Sequence, residues 1–74
     1  MERNLQLDWP RLVQEAVRRR EGQNLTQKQL AVLARVSGPT VNRFERQRGN
    51  ITLKSAFAIL KTLGLLAGNR GAEY

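Results

Sequence analysis

The chain of 74 residues contains neither cysteine nor histidine. The first absence excludes a disulfide framework and thiolate metal sites. The second removes a common metal ligand and the usual proton shuttle near neutral pH. Acid–base chemistry would fall to carboxylates, but the six present (Glu2, Asp8, Glu15, Glu21, Glu45 and Glu73) form no evident pair. No apolar run approaches the length that spans a bilayer, and the N-terminus lacks the basic-then-apolar pattern of a secretory signal. At this length the chain is near the lower limit for a self-sufficient core, so one domain is expected and a catalytic cleft has little room. The expectation is a soluble, cytoplasmic protein that is not an enzyme and holds no metal or cofactor.

What the chain does have is positive charge. Thirteen Lys and Arg against six Asp and Glu give a formal net charge of +7, and ten of the thirteen are arginines. The planar guanidinium fork matches phosphate oxygens and the guanine edge, so nucleic acid is the leading partner and a membrane surface the second. The competing reading is a solvated basic surface kept for solubility.

There are no internal repeats and no low-complexity tracts. Helical spacing recurs in four segments. In the first, Asp8 caps, Pro10 fits the first turn, and Leu12, Val13, Ala16 and Val17 share a face to about Glu21. After the break at Gly22 to Asn24, Thr26 with Gln29 reads as a capping box ahead of Leu30, Leu33 and Ala34. Ser37 reads as a fresh cap for a third helix to about Gln47, with Val41 and Phe44 as its apolar contacts. The fourth starts at Thr52 and puts Leu53, Ala56, Phe57, Leu60 and Leu63 on a face that Ile59 widens, with Gly64 as its stop. The reading is an all-α fold, a compact bundle of four to five short helices. Residues 1–8 are assigned to an N-terminal arm in which Leu5 and Leu7 alternate, 9–66 to the folded domain and 67–74 to a flexible tail.

Residues 27 to 46, QKQLAVLARVSGPTVNRFER, set Leu30, Ala34, Val36, Val41 and Phe44 as apolar points, with Ala31 small where two steeply crossing helices come closest. That is the pattern of a helix-turn-helix, in which one helix spans the DNA backbone and the next enters the major groove. The strings LTQKQLAVLARVSGPTVNRFE (25 to 45) and NITLKSAFAILKTLGL (50 to 65) resemble the phage repressor and Cro (XRE) type of helix-turn-helix domain, a lambda-repressor-like fold. The spacing RQRGNITL and the short tail look more like antitoxin repressors of toxin–antitoxin operons.

The resemblance implies roles for particular residues. Gln27 falls where the family meets a DNA phosphate and steadies the recognition helix. Ser37, Gly38, Pro39, Thr40, Asn42 and Arg43 fall along the groove-facing part of that helix, with Arg43 placed to pair with guanine and Asn42 to reach an adenine edge or a phosphate. Arg46, Gln47 and Arg48 lie where the family touches backbone, a contact that adds salt-dependent affinity without sequence information. Glu45 is expected to pair with Arg20 as a structural clasp, while Arg18 and Arg19 add to the basic field. Arg35 stands where the family usually has glycine, and a left-handed backbone there costs on the order of 1 kcal/mol. Asn24, also at a position where glycine is common, is the next best residue.

The implied function is a sequence-specific transcriptional regulator, most simply a repressor that binds an inverted repeat in double-stranded DNA as a homodimer. Leu63, Leu65 and Leu66 are the candidates for the subunit contact, with Trp9 and the Leu5/Leu7 arm as further ones. The alternative is a protein-interaction module, such as an antitoxin that binds a toxin, with DNA contact secondary.

Overall fold

The computed structural model describes residues 8–66, which fold into four helices: α1 (Trp9–Gly22), α2 (Gln27–Ala34), α3 (Gly38–Arg46) and α4 (Leu53–Thr62). The Leu5/Leu7 arm and the 67–74 tail lie outside the described residues.

Each helix starts on a side chain that accepts one of the backbone N–H groups a first turn leaves unpaired. Asp8 Oδ1 accepts from Arg11 N at 3.3 Å, and Pro10 follows in the first turn, where its missing N–H costs nothing. Thr26 and Gln29 complete the reciprocal capping box at 3.0 and 2.8 Å. Ser37 Oγ accepts from Thr40 N at 3.1 Å, and Thr52 Oγ1 from Ser55 N at 3.0 Å.

The four C-termini also share one solution. A left-handed residue follows the helix, and two backbone bonds then close on the last turn. The left-handed residues are Asn24, Arg35, Gln47 and Gly64, at φ 58°, 62°, 56° and 78°. For α2 the bonds run from Arg35 N to Val32 O at 3.2 Å and from Val36 N to Ala31 O at 3.0 Å. For α3 they run from Gln47 N to Phe44 O at 3.2 Å and from Arg48 N to Arg43 O at 3.0 Å. The turn between α2 and α3 therefore takes a left-handed conformation with arginine, not glycine, at its centre.

The buried core is drawn from every helix: Val13 and Ala16 from α1, Leu30, Ala31 and Ala34 from α2, Val41 and Phe44 from α3, and Ala56, Ile59 and Leu60 from α4, with Leu63 just beyond it. Packing α2 against both α3 and α4 requires small residues on α2, which Ala31 and Ala34 supply. Trp9 closes the open end of the core with its ring edge-on to Phe44, centroids 5.8 Å apart. Arg19 Nη1 donates to Leu63 O at 3.2 Å, which ties α1 to the end of α4; Arg19 is thus a structural contact as well as a surface charge.

Three expected core positions are corrected. Leu33 is 58% exposed, because the buried stripe of α2 runs through Leu30, Ala31 and Ala34 and leaves Leu33 on the far side of Leu30. Leu53 and Phe57 are 65% and 48% exposed, since α4 turns Ala56, Ile59 and Leu60 inward and puts these two at the flank. Leu63 is only 2% exposed, and a side chain so deep in its own core has no surface to offer a second subunit. Leu65 and Leu66 are half-buried against the core.

Candidate nucleic-acid interface

The left-handed turn at Arg35 sets α3 across α2, and the Gly38-Pro39 start of α3 lies beside the Gln27 start of α2. Gln27, Lys28, Gly38, Pro39 and Asn42 line one shallow depression between the two helices. Small residues at the tip of α3 let its backbone approach a partner closely. A Cβ added to Gly38 would meet nothing within 4 Å, so glycine there is a matter of surface shape and not of internal packing.

Beneath this surface runs a chain of hydrogen bonds across three helices. Arg20 on α1 donates from Nε to Glu45 Oε2 at 2.7 Å and from Nη2 to Glu45 Oε1 at 3.2 Å, while its Nη1 donates to Leu25 O at 2.7 Å. The ion pair is nearly sealed, with side chains 13% and 7% exposed. Glu45 therefore adds no exposed negative charge to the face of α3. Gln27 Nε2 donates to Glu45 Oε1 at 2.8 Å, and Gln27 Oε1 accepts from Asn42 Nδ2 at 3.2 Å. No buried side-chain nitrogen or oxygen among the described residues lacks a partner, so the network is internally satisfied. The geometry brings together Arg20, Glu45, Gln27 and Asn42. The last two links join side chains 18 and 15 residues apart and leave no local signature in the sequence.

The remaining candidates differ in what they offer. Ser37 Oγ and Thr40 Oγ1 bond each other at 2.8 Å, and Ser37 also caps α3. Pro39 is exposed and Gly38 half-buried, neither with a polar side-chain atom. Arg43, Arg46, Gln47 and Arg48 are exposed at the far end of α3 and in the turn that follows, and the three arginines have no ion-pair partner among the described residues. The Cγ, Cδ and Nε atoms of Arg43 run over Gly49, where an added Cβ would stand 3.2 Å from Cδ. Lys28 joins this face although sequence reasoning passed over it; its place in the first turn of α2, next to Gln27, was the available signal. Among the described residues Lys28, Arg43, Arg46 and Arg48 have no ion-pair partner; Lys28 stands in the first turn of α2, where the helix dipole and N–H groups attract phosphate, and the three arginines stand at the C-terminal end of α3 and in the turn beyond it.

Two short helices crossing at a tight turn, with a basic outer face on the second, define a helix-turn-helix DNA-binding domain. The family model described as Helix-turn-helix matches residues 18–66. The chain belongs to that family, in its XRE type, and is a DNA-binding transcriptional regulator. No curated protein and no solved structure matches the chain. The family is regulatory and not typically enzymatic. Among the described residues no helix is long and apolar enough to cross a membrane.

Proposed function

We propose that the protein is a cytoplasmic repressor that binds an inverted repeat as a homodimer, with α3 of each subunit in the major groove. The observation that carries this reading is the pairing of an exposed basic α3 with an internal network that removes the one acidic residue of that helix from the surface. Gln27, Ser37, Gly38, Pro39, Thr40, Asn42, Arg43, Arg46, Gln47 and Arg48 make up the proposed DNA-binding set, with Lys28 added. A single recognition helix reads few base pairs, so two half-sites one helical turn apart are needed for operator-level discrimination. Leu65 and Leu66 are the proposed subunit contact. The test is a gel-shift titration on the protein's own promoter region. Specific retention at physiological salt is expected, and equal affinity for scrambled DNA would refute sequence-specific regulation.

One observation favours a second role as a protein-binding module of the antitoxin kind. Val32 and Leu33 form an apolar patch on the outer side of α2, 71% and 58% exposed, and no packing within the described residues needs them there. In that case Arg43→Ala would leave partner capture and the cellular effect unchanged, whereas a repressor would lose its operator.

A further inference from the structure

We infer that a small carboxylate with an apolar body binds in the groove where the end of α3 meets the starts of α1 and α4, and that its binding competes with DNA for Arg43 and Arg48. The competition rests on the DNA-binding reading above; the binding itself does not. The groove has a volume of about 460 Å³, within the range of roughly 300–1,000 Å³ usual for small-molecule sites. Its apolar wall comes from three stretches of chain. Trp9 and Ile51 are half-buried, Leu53 is 65% exposed, and the buried Phe44 and Ala56 close the floor. The Trp9 ring is held edge-on by Phe44, centroids 5.8 Å apart, so it offers a fixed flat surface.

The other side of the groove is cationic. Arg43 and Arg48 both line it, neither has an ion-pair partner among the described residues, and no lining residue is acidic. The closing turn of α3 brings them together: Arg48 N donates to Arg43 O at 3.0 Å, and Gly49, which has no Cβ, gives the Arg43 stem room against the loop. A guanidinium fork pairs in plane with a carboxylate. The apolar wall gives nothing to a bare inorganic anion, and the arginines give nothing to a neutral apolar molecule. An amphiphilic carboxylate engages both halves of the groove. Arginines committed to it are withdrawn from DNA, so the ligand acts as a releasing effector.

Trp9, the single tryptophan, lines the groove and reports occupancy directly. The experiment titrates the full chain with sodium octanoate, with sodium acetate and with 1-octanol, reading tryptophan fluorescence while circular dichroism checks that the helices persist. Octanoate should give a saturable change and bind at least roughly tenfold tighter than acetate, the effect of burying two methylenes. Arg48→Ala should weaken octanoate by about 5-fold, the upper value for an exposed pair, and leave octanol unaffected. Leu53→Ser should weaken octanoate while promoter affinity in gel shift stays unchanged. Octanoate should also release promoter DNA at the concentrations that saturate the Trp9 signal. An equal response to octanol would make the groove a seat for an apolar protein segment, and an equal response to acetate would leave an adventitious ion only; either overturns the site. Octanoate that binds but leaves the promoter complex intact would overturn the competition alone. A chain that retains no promoter DNA would overturn the regulator reading and the competition with it, while the fluorescence titration still decides the site.

Discussion

Substituting Glu45 by alanine isolates the energetic weight of the clasp beneath the recognition helix. The carboxylate accepts three hydrogen bonds, from Arg20 Nε at 2.7 Å, Arg20 Nη2 at 3.2 Å and Gln27 Nε2 at 2.8 Å. Bonds to a charged group are worth about 1.5–3 kcal/mol each in net terms, but they are not independent here. Removing one member of a buried pair costs about 3–5 kcal/mol, because the other charge is left without compensation. Arg20 would keep only its bond to Leu25 O, at a side-chain exposure of 13%. The remaining solvent access sets the expected loss near the lower end, about 3 kcal/mol. A domain of this length has roughly 4–11 kcal/mol in total, so the variant should lose a large part of its margin and melt about 12–24 °C lower. Urea titration, followed both by far-UV circular dichroism and by fluorescence of Trp9, the single tryptophan, measures the change and tests two-state behaviour at once. The double variant Arg20→Met/Glu45→Leu removes both charges and should cost less than Glu45→Ala alone. A loss under about 1 kcal/mol for Glu45→Ala, the value of a surface pair, would refute the description of the clasp as a buried, network-bearing contact.

Other substitutions give smaller or more specific effects. Arg35→Gly should stabilise the fold by about 0.5–1 kcal/mol, since it relieves a left-handed non-glycine backbone at some expense in unfolded-chain entropy; a lower urea midpoint would contradict this. Gly49→Ala should destabilise by about 1–2 kcal/mol through its φ of 71°, and the new methyl, 3.2 Å from Arg43 Cδ, should also weaken DNA binding; an unchanged urea midpoint and unchanged gel-shift affinity would argue against both effects. Arg46→Ala and Arg48→Ala should each lower the slope of log affinity against log salt by about 1 without altering which sequences are preferred. A changed preference in selection from random DNA would show that either one reads bases.

The parts of this molecule legible in its sequence are those set by neighbours in the chain. Thr26 with Gln29, Ser37 before Gly38-Pro39, and Thr52 before an apolar run announce three helix starts, because a cap and its N–H partner lie within three residues. The left-handed conformations at Asn24 and Arg35 follow from the helix-turn-helix spacing, although neither residue is glycine. The same conformation at Gln47 has no such signal: the spacing predicts an end near Gln47, as observed, but the glycine of RQRGN falls two residues after the closing position. Rotational details failed for a different reason. Leu30 and Leu33 are equally apolar, and only the approach of α3 and α4 decides that alanines fill the buried stripe while Leu33 faces outward. Leu63 similarly belongs to the core only because α4 delivers it there. At the interface, residue types indicated charge and placement, but the engagement of Asn42 through Gln27 depends on α2 and α3 meeting, which no local pattern encodes.

The recurrence of one left-handed closing turn at all four helix ends, with glycine at just one of them, has a consequence for how the chain tolerates change. Three of the four closing residues are therefore positions at which glycine would relieve a left-handed backbone. At Asn24 and Arg35, drift toward glycine would raise the margin while leaving every base-facing or phosphate-facing atom in place. Position 47 is different, because it directly precedes Arg48, which has no ion-pair partner among the described residues and belongs to the proposed DNA-binding set, so a change there is expected to alter robustness and DNA affinity together. Two of the three joints are therefore independent adjustments, open to selection or to a protein engineer who wishes to keep the operator fixed.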